Sequence, residues 1–247
     1  MGSSEHARTS TRCSAEREPL ITAQIEAMRG FDCDGGSAAG PAPNPLQHLE
    51  VMRWRKAQRE RLIALRLATP SEVRLRASRK IAAALEGALG EVRDRVVSVY
   101  APIRGEPNLR DLMKRIVARG GRTALPVVLA RGQPLSFRVW TPGDPTRRSL
   151  WNIPEPSEGA EVVTPDVVIA PLVGFDACRY RLGYGGGFYD RTLASLTSRP
   201  SVFGVGYSWT AIPTIYPQAH DIPMQVIVTE NGVEGACTPG TSPPSTP

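Results

Sequence analysis

Short apolar runs rich in β-branched residues recur along this chain between segments of helical pattern. They are VVSVYAPI from Val96, RTALPVV from Arg122, LSFRVW from Leu135, VVIAPL from Val167, SVFGVGY from Ser201 and MQVIVTE from Met224. VVIAPL has no polar position at all, which marks a strand covered on both faces. Between the first two runs Leu109, Leu112, Met113, Ile116 and Val117 fall at one-face helical spacing, with Asn108 placed to cap them. Strands alternating with helices require crossover connections and a parallel sheet. The chain is therefore expected to be α/β, a three-layer sandwich with a mostly parallel central sheet and helices on both faces. In such sheets ligands collect beyond the carboxyl ends of the strands, here the loops after Tyr100, Leu172 and Tyr207.

The chain of 247 residues is 41% hydrophobic, enough for one substantial core. That core is expected within residues 49–230. Residues 1–48 read as a disordered or loosely ordered extension and linker, because the stretch DGGSAAGPAPNP at 34–45 offers little apolar surface. ITAQIEAMR within it could form a short helix, but only a docked one. Residues 231–247, with TPGTSPPSTP, read as a disordered tail. The body opens with two arginine-rich helical stretches, WRKAQRERLIALRLA and EVRLRASRKIAAALEGAL. They meet at Thr69, Pro70, Ser71 and Glu72, a spacing that predicts a capping box with Thr69 as the cap.

A net charge of +6 favours anionic partners. Aromatic residues make up 6% and do not interleave with basic ones, so small anions are favoured over nucleic acid. Cys13, Cys33, Cys178 and Cys237 are too dispersed for a metal site or a disulfide framework, which suits a reducing, cytoplasmic setting. The longest apolar stretch is broken by Pro171 and is too short for a membrane span.

The segment RLGYGGGFYDR, 181–191, lies between the strand VVIAPL and the helical FYDRTLASL. Glycine admits φ > 0 and lets a ligand reach main-chain N–H groups, so a phosphate is the first ligand to test. A dinucleotide fingerprint fails because Phe188 stands where its third glycine belongs, and a Walker loop fails for want of a lysine followed by a hydroxyl residue. Two readings remain: a different phosphate cradle at a helix start, or a plain glycine-rich turn. No acid–base pair is visible among His6, His48 and His220.

PLVGFDACRYRLGYGGGFYDR, YAPIRGEPNLRDL, LWNIPEP and AHDIPMQVIVTE together resemble, in order and spacing, the 5-formyltetrahydrofolate cyclo-ligase family, also called 5,10-methenyltetrahydrofolate synthetase. The resemblance implies ATP- and Mg²⁺-dependent conversion of 5-formyltetrahydrofolate to 5,10-methenyltetrahydrofolate, ADP and phosphate. The formyl oxygen is phosphorylated and N10 then closes the ring. It implies that Arg181, Leu182, Gly183, Tyr184, Gly185, Gly186, Gly187, Phe188 and Tyr189 form the nucleotide loop, with Arg181 and Tyr189 in the catalytic centre. Asp190 and Asp221 match the Mg²⁺ carboxylates, and Glu106, Trp151, Phe188 and Tyr189 the folate side. On the first helix the family's basic pair falls on Arg55 and Arg59, at i,i+4, with Lys56 a competing register. Arginine stands there where the family usually has lysine, and the two are not equivalent donors. The implied protein is a monomer acting on a folate that carries one or more glutamates, without nucleic-acid or membrane partners. A non-catalytic folate- or nucleotide-binding protein on the same scaffold, and an RNA-binding module built on the arginine-rich helices, are the alternative classes.

Overall fold

The computed structural model describes residues 45–149 and 151–234; the expectations for the extension before Pro45 and the tail after Glu234 lie outside the described residues. The helices are α1 (Pro45–Ala68), α2 (Ser71–Leu89), α3 (Arg110–Ala118) and α4 (Phe188–Ser195). The strands are β1 (Val96–Ser98), β2 (Arg122–Val128), β3 (Leu135–Val139), β4 (Thr146–Arg148), β5 (Pro154–Pro156), β6 (Val162–Val163), β7 (Val167–Pro171), β8 (Gly174–Phe175), β9 (Arg181–Leu182), β10 (Ser201–Val205), β11 (Val226–Thr229) and β12 (Gly232–Glu234). Helix α1 and strand β12 thus extend slightly beyond the limits 49 and 230 expected for the folded body.

Eight strands form one sheet in the order β12-β11-β10-β7-β1-β2-β3-β6. Its centre, β11 through β2, is parallel, and the antiparallel strands are confined to the two edges. The pleat explains the all-apolar β7. Val167 and Ile169 point into a core with α2 and α3, whereas Val168 and Ala170 point to the other face, where Tyr189 and Leu193 of α4 cover them. Three layers follow from this two-sided burial. Helix α1 packs on the β8–β9 ribbon and the chain after β10, through Leu62 against Val173, Leu182, Ile212 and Ile215.

Two local expectations change. The capping box at Thr69 does not form. Helix α2 begins at Ser71 with Pro70 at the cap position and no side-chain cap, while the Thr69 hydroxyl donates back to the Leu65 carbonyl at 2.9 Å. Threonine is drawn backward because the last carbonyls of α1 lack helical partners. Arg74 Nη1 also donates to the carbonyls of Arg66 (3.0 Å), Leu67 (3.3 Å) and Thr69. Asn108 does cap α3, its Oδ1 accepting from the Arg110 amide at 3.1 Å, although Leu109 holds the cap position itself. Among the described residues no helix is long and apolar enough to cross a membrane.

Candidate active site

Arg55, Arg59, Leu62 and Arg66 share one face of α1, at successive spacings of four, three and four residues. Three guanidiniums around one leucine would ordinarily be a solvent face, yet Arg55 is 5% exposed and Arg66 1%. The carbonyl acceptors of neighbouring loops make that burial tolerable. Arg55 donates to the carbonyls of Ile215 and Tyr216, both at 2.9 Å, and is ion-paired with Asp221. Arg59 donates to the Gly183 carbonyl at 2.7 Å, and Arg66 to the Leu172 carbonyl at 3.1 Å. Burial, and then the nearby Arg55 charge, lower the Arg59 pKa from its ordinary value. Lys56 is exposed, so of the two registers it is Arg55 that turns to the loops.

The glycine loop issues from β9. Leu182 sends its side chain into the core beside Leu62, so only its main chain belongs to the loop. Gly185 (φ 96°) and Gly187 (φ 63°) occupy the left-handed region that favours glycine, and Gly187 sits at the cap position of α4. Tyr184, Gly185 and Gly186 are exposed. The amides of residues 184–190 donate to no backbone or side-chain acceptor among the described residues. Consecutive amides free of such acceptors and running into a helix start make this a loop of the kind that can bind an anion. Arg59 lines it from α1, and Arg191 reaches back to the Gly186 carbonyl.

Beneath the loop Arg181 pairs with Asp190 at 2.5 Å and lies 5.2 Å from the centroid of the Tyr189 ring. The Tyr189 hydroxyl is buried without a hydrogen-bond partner among the described residues, and burial raises its pKa despite the Arg181 charge. The second oxygen of Asp190 accepts from the Ile222 amide at 3.3 Å, which brings that carboxylate next to Asp221 in the chain. Burial alone would raise the Asp221 pKa, but bonds from Arg55 and the Gln218 amide outweigh it and lower the value. His220 is an exposed neighbour, 3.9 Å from Asp221.

Glu106 belongs to the turn after β1, where Arg104 (φ 46°) and Gly105 (φ 76°) reverse the chain. Its Oε2 accepts from the Ile103 amide at 2.8 Å and its Oε1 from the Tyr184 hydroxyl at 2.9 Å. Burial raises its pKa from 4.5 to about 7, against the Ile103 hydrogen bond and the Arg66 charge. Trp151, 39% exposed, meets Phe188 edge-on with ring centroids 5.6 Å apart. Of the residues singled out in the sequence, Arg59, Glu106 and Trp151 touch residues 181–190 directly, whereas Arg55 and Asp221 pair with each other and make no hydrogen bond or ion pair to that segment among the described residues. Arg66 and Arg104 were not singled out. Arg104 lies 5.7 Å and Arg66 6.0 Å from the centroid of the Tyr184 ring. Arg66 shares the 55-59-62-66 face, but that spacing alone does not set it apart from a solvated arginine; Arg104 carried no sequence signal. A groove of about 530 Å³ along β3 and β6, lined by Leu129, Leu135, Phe137, Val162 and Leu196, includes none of these residues.

The model of the 5-formyltetrahydrofolate cyclo-ligase family matches residues 51–230. The 5-formyltetrahydrofolate cyclo-ligase of Mycolicibacterium smegmatis is 29% identical over 184 residues, 72% of this chain and 94% of that protein. The Escherichia coli K12 protein of the same name is 32% identical over 144 residues, 56% of this chain and 79% of that one. Among solved structures, the 5,10-methenyltetrahydrofolate synthetase of Aquifex aeolicus superimposes with a TM-score of 0.63 at 30% identity, covering 77% of this chain and 96% of that one. The synthetase of Mycoplasma pneumoniae, at 22% identity and a TM-score of 0.60 over 71% of this chain and 98% of that one, supports the fold alone.

Proposed function

The chain belongs to the 5-formyltetrahydrofolate cyclo-ligase family, and on that premise we propose that it converts 5-formyltetrahydrofolate to 5,10-methenyltetrahydrofolate with ATP and Mg²⁺, releasing ADP and phosphate. The observation that carries this reading is the run of free amides over residues 184–190 with Arg59, Arg181 and Arg191 around it. Amides and guanidiniums are the donors that triphosphate oxygens require. When bound, ATP supplies the phosphoryl group that makes the formyl oxygen a leaving group for ring closure by N10. Arg55 and Arg59 hold the phosphates from α1, and the main chain of 182–187 holds them from below. Arg181, steadied by the Tyr189 ring, neutralises the charge in transfer. Chemistry of this kind depends on alignment and charge and asks for no nucleophilic side chain.

Asp190 and Asp221 suit Mg²⁺, which takes one or two carboxylates beside phosphate oxygens and water. Among the described residues no group of three or more His, Cys, Asp or Glu could form a dedicated metal cage. Each of the two carboxylates is paired with an arginine. Asp190 and Asp221 would hold the cation, and Arg181 and Arg55, the arginines paired with them, would be placed to meet phosphate oxygens beside it. Trp151 and Phe188 offer flat faces to the folate rings, and Glu106 a carboxylate to the polar pterin edge. The positive balance of the chain suits a folate with a glutamate tail. The protein acts as a cytoplasmic monomer, with residues 49–230 carrying the activity.

Purified protein given 5-formyltetrahydrofolate, ATP and Mg²⁺ will form the methenyl chromophore and ADP in equal amounts. Asp190→Asn will lower turnover by about a hundredfold or more while the protein stays folded by circular dichroism. Absence of both products from the wild-type protein rejects the enzyme; folate binding without turnover selects a binding protein instead.

A further inference from the structure

Tyr184 lies in the glycine loop, but its side chain leaves it. The hydroxyl contacts Arg66 Nη2 at 2.7 Å and Glu106 Oε1 at 2.9 Å. The direction of these bonds is fixed by chemistry. A guanidinium can only donate, so the hydroxyl oxygen accepts from Arg66 and turns its single proton toward Glu106. Two guanidiniums also lie near its ring, Arg66 at 6.0 Å and Arg104 at 5.7 Å from the centroid, and help to hold it. Among the described residues Arg66 makes no ion pair with Glu106; its charge acts on that carboxylate at longer range, and its hydrogen bonding reaches it through this hydroxyl.

We propose that Tyr184, backed by Arg66, is a positioning residue for the folate and not a nucleotide contact: it holds the Glu106 carboxylate in place to receive the paired N–H donors of a pterin edge. The proposal rests on the folate reading of the site given above. A carboxylate meets adjacent N–H donors with two parallel hydrogen bonds, as it does a guanidinium, provided its plane is fixed and it is ionised. The Ile103 amide fixes one oxygen and Tyr184 the other, and each oxygen keeps a lone pair for a ligand. The groups facing Glu106 are Arg66 from α1, Arg104 of its own turn, Tyr100 after β1, Tyr184 of the glycine loop, Tyr189 from α4 and Tyr207 after β10. Of these the two arginines and the Tyr184 bond favour the ionised form, against burial.

The test is Tyr184→Phe, which keeps the ring and removes the hydroxyl. The KM for 5-formyltetrahydrofolate will rise about tenfold at neutral pH, as will its Kd measured without ATP, while the KM for ATP stays unchanged. The acid limb of kcat/KM for the folate will move to higher pH, because the lost bond favoured the carboxylate. In a Glu106→Gln background the same substitution will have no further effect on folate Kd, a cycle that separates this role from a merely structural one. An unchanged folate Kd in Tyr184→Phe, or a rise confined to the ATP KM, overturns the proposal. Wild-type protein that binds the folate but does not turn it over defeats the enzyme reading alone, since the Kd measurements still decide the role of Tyr184.

Discussion

Glu106→Gln gives the sharpest physical test of the site, because the native carboxyl is held against its own solvation. Burial moves its pKa from 4.5 to about 7, and the Ile103 amide, Arg66 and Tyr184 recover only part of the shift. Between those values the folded chain keeps a proton that the unfolded chain has already released. Stability therefore falls as pH rises through this window, by about 1.4 kcal/mol per unit, and levels off above the folded pKa. Over about 2.5 units the loss is about 3 kcal/mol. Glutamine has the same shape and cannot ionise, but it offers one oxygen where both the Ile103 amide and the Tyr184 hydroxyl donate, a mismatch of about 1–2 kcal/mol at every pH. The variant should thus be less stable than wild type near about pH 4.5 and gain on it by about 3 kcal/mol by about pH 8, while folate turnover is lost. Urea unfolding of both proteins at several pH values measures this swing. Two stability curves that stay parallel would refute the argument, because the burial of Glu106 would then carry no charge penalty.

Three further substitutions separate the nucleotide side from its surroundings. Gly185→Ala places a Cβ at φ 96° and 3.3 Å from the Arg59 guanidinium carbon; the left-handed strain of about 1–2 kcal/mol should appear as a lower Tm, with a several-fold rise in the KM for ATP. Arg55→Gln leaves Asp221 buried without its cation and should reduce stability in denaturant by about 3 kcal/mol, raising the Asp221 pKa as well. Lys56→Gln, at an exposed position, should change stability by less than about 0.5 kcal/mol, and an effect as large as that of Arg55→Gln would make Lys56, not Arg55, the residue that the loops hold.

The layers were legible because the central strands are buried on both faces, and that burial writes itself into composition: Val167 through Ala170 are apolar whichever way they point. The short ribbons β4–β5 and β8–β9 were not legible. Their strands hold two or three residues each, too few to show an alternating pattern, and β5 includes Pro154 and Pro156, which argue against a strand. Thr69 shows the same limit at a cap: the residue type suited an N-cap, but the carbonyls of the preceding helix competed for its hydroxyl and won. At the site the glycine loop could be read directly, since its chemistry belongs to the main chain. Arg66 could not, because an arginine on a helix face is usually solvated, and nothing local distinguishes one that meets carbonyls from one that meets water.

That arginine face has a consequence for how the site is assembled. An apolar stripe on α1 would have buried the helix without orienting anything beyond it. Instead Arg55 engages the carbonyls of Ile215 and Tyr216, Arg59 that of Gly183, and Arg66 that of Leu172, three loops that leave different strands. Each bond is directional, so docking α1 fixes those loops relative to one another, where hydrophobic contact alone would let them slide. The guanidiniums lose hydration in the process, and carbonyls are weaker partners than anions. Arg55 already has the Asp221 carboxylate, whereas Arg59 has no carboxylate partner among the described residues, so on the reading proposed above a triphosphate would supply the negative charge that Arg59 lacks.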